Sequence, residues 1–73
     1  MSSISELTLK ADNGDAEAQN ELGMKYENGV NVQKNVNQAA KYYQQSADLQ
    51  NSDALNNLGL IYQTQNQKNK DEV

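Results

Sequence analysis

The residues of this chain that could do chemistry are few, and most are acids. Carboxylates pair at Asp12/Asp15 and at Glu17/Glu21, spacings at which two acids could share a proton or a cation. Acids in a first helical turn, however, ordinarily offset the positive end of the helix dipole. Asp12-Asn13-Gly14-Asp15 also lacks the alternating ligands and closing Glu of an EF-hand calcium loop. The chain has no His and no Cys, which removes the commonest acid–base group and every thiolate ligand. The expectation is therefore no catalytic residue, no metal, no cofactor and no enzyme activity. All six positive charges are Lys, scattered through a chain of net charge −4, so no basic patch is built for nucleic acid. Tyr42-Tyr43 lacks the basic neighbours that a base-stacking platform needs.

What remains is recognition, and the elements that would display it repeat. Ala18-Gln19-Asn20-Glu21-Leu22-Gly23-Met24-Lys25-Tyr26 returns 36 residues later as Ala54-Leu55-Asn56-Asn57-Leu58-Gly59-Leu60-Ile61-Tyr62. A fixed period in this range is the signature of stacked helix pairs that bury their apolar faces against their neighbours. The expected fold class is all-α, a short solenoid of antiparallel helix pairs.

Four helices are predicted, near residues 3–13, 15–28, 36–50 and 52–65. Ile4, Leu7 and Ala11 fall on one helical face, and a shift of 36 carries them onto Ala40, Tyr43 and Ala47. The first segment thus reads as the second helix of a repeat whose first helix is missing. Gly14 and Gly29 end helices, while Asp15 and Asn51 open them as N-caps. Asn35 and Gln38 form the pattern of a capping box, in which the Gln side chain reaches back to the cap amide. Val30 and Val32 are expected under the loop between the second and third helices. Gly23 and Gly59 each cost about 1 kcal/mol relative to Ala within a helix, so both are expected at close helix contacts. Tyr26 and Tyr62 are expected in the repeat core, and Tyr42-Tyr43 is expected to put one ring in the core and leave the other partly exposed.

The organisation that follows is a capping helix over 1–14, a complete unit over 15–50, the first helix of a truncated unit over 51–66, and a polar tail over 67–73. The last helix would then lack cover for Leu58, Ile61 and Tyr62. Association of copies through the open repeat ends is one expected consequence. No run of apolar residues could serve as a signal peptide or cross a membrane, and a cytoplasmic location is expected.

The combined pattern of Gly14, Ala16, Ala18, Leu22-Gly23-x-x-Tyr26, Gly29, Val32, Asn35, Ala39, Tyr42-Tyr43 and Ala47, followed by Asn57-Leu58-Gly59-x-x-Tyr62, resembles the Sel-one-like repeat (SLR) family. That family is a relative of the tetratricopeptide repeats. Asn31 departs from it, standing where the family has a second loop glycine; Asn35 replaces an acid and Gln38 a base. The resemblance implies a superhelix of helix pairs acting as a scaffold or adaptor for other proteins. Some members have been linked to beta-lactam chemistry, but no Ser here opens a Ser-x-x-Lys pattern: Ser46 leads to Leu49 and Ser52 to Leu55.

In such an array the first helix of each pair lines the concave face. Glu17, Asn20, Glu21 and Met24 would lie there, opposite the Ala18/Leu22/Tyr26 stripe that is expected to face the partner helix of the pair. Asp53, Asn56, Asn57 and Leu60 are their counterparts one repeat on. Amides can grip the backbone of a peptide, and Met adapts to varied surfaces. The expected partner is another protein or peptide bound on this face; the plainer alternative is packing between adjacent first helices.

Overall fold

The computed structural model describes residues 3–71. It is built from α1 (Ile4–Asp12), α2 (Ala16–Asn28), α3 (Val36–Asp48) and α4 (Ser52–Asp71). Each helix packs on the next in chain order, and the molecule measures 42 × 26 × 16 Å. This is an all-α solenoid, with no strand among the described residues.

Each start is fixed by a side chain that accepts from an orphan amide. The Glu6 N–H donates to Ser3 Oγ at 3.1 Å, the Ala18 N–H to Asp15 Oδ1 at 3.1 Å, the Gln38 N–H to Asn35 Oδ1 at 3.0 Å and the Ala54 N–H to Asn51 Oδ1 at 2.9 Å. The reciprocal half of the expected capping box is absent. The Asn35 N–H donates instead to the Tyr26 carbonyl at 2.8 Å, tying the loop to the end of α2. Stops follow from backbone handedness: Gly29 ends α2 at φ +70°, and Gly14 turns the chain after α1 at φ +89°. Gln50 stands one repeat after Gly14 and adopts φ +68° without a glycine's freedom.

The helix predicted to end near 65 continues as α4 to Asp71. Where α2 meets Gly29, α4 meets Gln65, and nothing there turns the backbone left-handed. The tail expected over 67–73 is thus helical as far as 71; residues 72 and 73 lie outside the described residues.

Two apolar clusters hold the stack. Leu7 and Ala11 of α1 meet Ala18 and Leu22 of α2. One repeat on, Ala39 and Tyr43 of α3 meet Ala54, Leu58 and Ile61 of α4. Of the Ala18/Leu22/Tyr26 stripe, Ala18 and Leu22 therefore pack on the preceding helix, with Tyr42 of the partner α3 at the edge of their cluster, while Tyr26 meets the partner through Tyr42. Leu58 and Ile61 are buried against α3, so they do not form the open outer side expected of them. Within the loop, Val30 is exposed and Val32 half-buried; the turn is too short to fold either side chain fully beneath it.

The α2–α3 pair is held differently, by close approach. A Cβ on Gly23 would lie 2.5 Å from Tyr43 Cε1 and 2.6 Å from Cδ1, so the tyrosine ring rests directly on the glycine backbone. The Tyr43 hydroxyl donates to Glu27 Oε1 at 2.7 Å, and the Ser46 hydroxyl to the Ala16 carbonyl at 2.6 Å. Tyr26 stacks on Tyr42 with centroids 5.7 Å apart.

Candidate functional site

The eight residues expected on the concave wall come from α2 and α4, the first helices of successive units. Because α1 and α3 cover the Ala18/Leu22 and Ala54/Leu58/Ile61 stripes, the remaining sides of α2 and α4 carry the polar and long side chains. Glu17, Glu21, Met24, Asp53, Asn56 and Leu60 are exposed, while Asn20 and Asn57 are half-buried.

The structure joins the two walls at one point. Asn57 Nδ2 donates to Asn20 Oδ1 at 3.0 Å, a bond between helices that commits one amide group from each. Asn20 Nδ2 faces Met24 Sδ at 4.0 Å, and Asn28 Nδ2 donates to the Met24 carbonyl at 3.0 Å. Met24 and Leu60 stay 46% and 51% exposed. The other members divide by place. Glu17 and Glu21 border a small cleft with Lys10 and Asp15, whereas Asn56 and Leu60 border a groove along α4.

The tyrosines also divide. Tyr43 is fully buried and Tyr42 half-buried, as expected. Tyr26 is half-buried on Tyr42, whereas its counterpart Tyr62 is 52% exposed. Burial, with the Glu27 carboxylate beside it, holds the Tyr43 hydroxyl well above the ordinary tyrosine range.

Sequence reasoning missed Gln19. Its side chain is buried, and Nε2 donates to the Ala11 carbonyl at 3.0 Å, closing the end of α1. The signal was present in the repeat: the matching position in α4 is Leu55, the mark of a site that favours burial. Among the described residues, no three acids gather as metal ligands, and no helix is long and apolar enough to cross a membrane.

Comparison with known proteins agrees with this architecture. The Sel1 repeat family model matches residues 16–51 and again 52–72. The chain belongs to the Sel1 repeat family. Sel1 repeats are in general protein-interaction modules rather than catalytic domains. Among curated relatives, DAP3-binding cell death enhancer 1 of Rattus norvegicus is 41% identical over 54 residues, covering 74% of this chain. The Mus musculus protein of the same name is 39% identical over 56 residues, covering 77% of the chain. The match spans only 11% of the length of each relative. No solved structure matches the chain.

Proposed function

We propose that this chain binds a protein partner on the wall formed by α2 and α4, through Glu17, Asn20, Glu21, Met24, Asp53, Asn56, Asn57 and Leu60. One observation carries the reading: the Asn57–Asn20 bond links the two helices, while Met24 and Leu60 beside it remain half in solvent. A polar link flanked by adaptable apolar side chains suits a peptide, since the amides set its register and the apolar groups supply burial. Glu17, Glu21 and Asp53 give the wall negative charge, so the matching segment combines one or two apolar anchors with Lys or Arg. The chain acts as a scaffold or adaptor, not as an enzyme.

The relatives named for binding DAP3 make that protein the first partner to test. Titration of purified DAP3 into the chain should show saturable binding that weakens with added salt. Met24→Glu should reduce it at least tenfold while leaving the helical circular dichroism unchanged. Full binding by Met24→Glu would remove this wall as the site.

A further inference from the structure

The internal repeat allows one face of α4 to be compared with a copy of itself whose partner is in place. On α2 that face is covered by α3: the Tyr43 ring lies on Gly23, its hydroxyl reaches Glu27, and Ser46 reaches the Ala16 carbonyl. A shift of 36 residues carries Ala16, Gln19, Gly23 and Glu27 onto Ser52, Leu55, Gly59 and Gln63. There no described residue supplies the cover. A Cβ on Gly59 would meet nothing within 4 Å, and Leu55, at the position of buried Gln19, is 63% exposed. Ser52, Leu55, Asn56, Gly59, Leu60 and Gln63 line an open groove of about 490 Å³.

The geometry points to this groove as a seat for a helix of a partner protein that carries Tyr followed three residues later by Ser or another small residue. The occupied copy specifies the chemistry. The ring needs a glycine backbone beneath it, the hydroxyl needs an acceptor, and the small residue lets the two backbones close. Gly59, the Gln63 side-chain oxygen and the Ser52 carbonyl supply the first two needs and the acceptor that Ser46 finds in α2. Leu55 and Leu60 add apolar surface on either side of the slot.

A second copy of this chain does not offer that helix. Its α1 is the second-helix type, but it presents Leu7 and Lys10 where α3 presents Tyr43 and Ser46. Leu7 has no hydroxyl for Gln63. Lys10 is far longer than the fully buried Ser46, and would hold the helices apart. The α3 of a second copy carries the right residues, but they are already engaged on its own α2.

The groove shares Asn56 and Leu60 with the α2–α4 wall, and substitutions at Gly59, in the groove alone, and Met24, in the wall alone, separate the two. The probe is a synthetic peptide of residues 35–50, which carries Tyr43 and Ser46 in their native spacing. Titrated into the full chain, it should bind saturably and gain helical circular dichroism, since a free peptide of this length is mostly unfolded. Gly59→Leu fills the slot from a position that touches nothing, so the chain should stay folded while affinity falls about tenfold or more. A peptide with Tyr43→Ala should fail to bind, and Met24→Glu in the chain should leave peptide binding unchanged. No binding of the native peptide, or undiminished binding to Gly59→Leu, would overturn the proposal. So would self-association of the chain that Gly59→Leu abolishes, because the groove would then belong to a second copy.

Discussion

Gly23 and Gly59 occupy the same position in successive repeats, yet their side-chain space differs completely, and so should their response to substitution. Gly59→Ala adds a methyl group to open space and removes the backbone cost of glycine, so it should stabilise by up to about 1 kcal/mol. Gly23→Ala drives the same methyl group into the Tyr43 ring and should lower the melting temperature. Equal shifts in paired thermal melts would show that the ring does not rest on Gly23. Leu22, fully buried between α1 and α2, sets the scale for the apolar core: Leu22→Ala should cost about 2–5 kcal/mol in urea melts. Tyr43 also introduces a pH dependence. Burial and Glu27 raise its pKa above the ordinary 10.0, so above pH 10 the unfolded chain loses a proton that the folded chain keeps. Stability is therefore fully present below pH 10 and declines as pH rises beyond it. Tyr43→Phe should reduce that alkaline decline without abolishing it, because Tyr42 is shifted upward for a similar reason. An identical alkaline profile in Tyr43→Phe would place the burden elsewhere.

At the scale of helices and turns, the ends carry most of the sequence information. Asp15, Asn35 and Asn51 cap where their types and positions predict, and Gly14 and Gly29 turn where left-handed backbone is required. Asn31, in place of the family's second loop glycine, holds φ +62°, which Asn tolerates better than most residues. Gln50 has no such excuse at φ +68°. Gln50→Gly should relieve part of a strain of about 1–2 kcal/mol, raising the melting temperature; no rise would mean that the α3–α4 turn relaxes by another route. Pattern alone could not assign which helix each stripe faces. Ala18 and Leu22 recur as Ala54 and Leu58, and periodicity says that they are buried without naming the neighbour. Nor could it separate the candidate wall from the groove, because Asn56 and Leu60 border both. The Asn57–Asn20 bond escaped notice because it joins positions 37 apart, one step out of register with the repeat.

Across the whole molecule, the unit of sequence and the unit of folding do not coincide. The repeat reads most naturally as 15–50, yet neither apolar cluster lies within that span. Leu22 and Ala18 need Leu7 and Ala11 of α1, and Tyr43 and Ala39 need Ala54, Leu58 and Ile61 of α4. A fragment of residues 15–50 would keep the Gly23–Tyr43 approach, the Tyr26–Tyr42 stack and the Tyr43–Glu27 and Ser46–Ala16 bonds between its helices, but neither cluster. Helices of this length are marginal in isolation, and chains shorter than about 40 residues rarely fold without an added staple. The molecule is only 16 Å across its thinnest dimension, so every helix is core to one neighbour and surface on its other sides. The fragment 15–50 should therefore give a largely unfolded circular dichroism spectrum, whereas residues 1–73 should melt cooperatively. Adding α1, as residues 1–50, should restore one cluster and part of the helicity. A cooperative melt from 15–50 alone would mean that the close α2–α3 approach, not the clusters on either side, carries the fold.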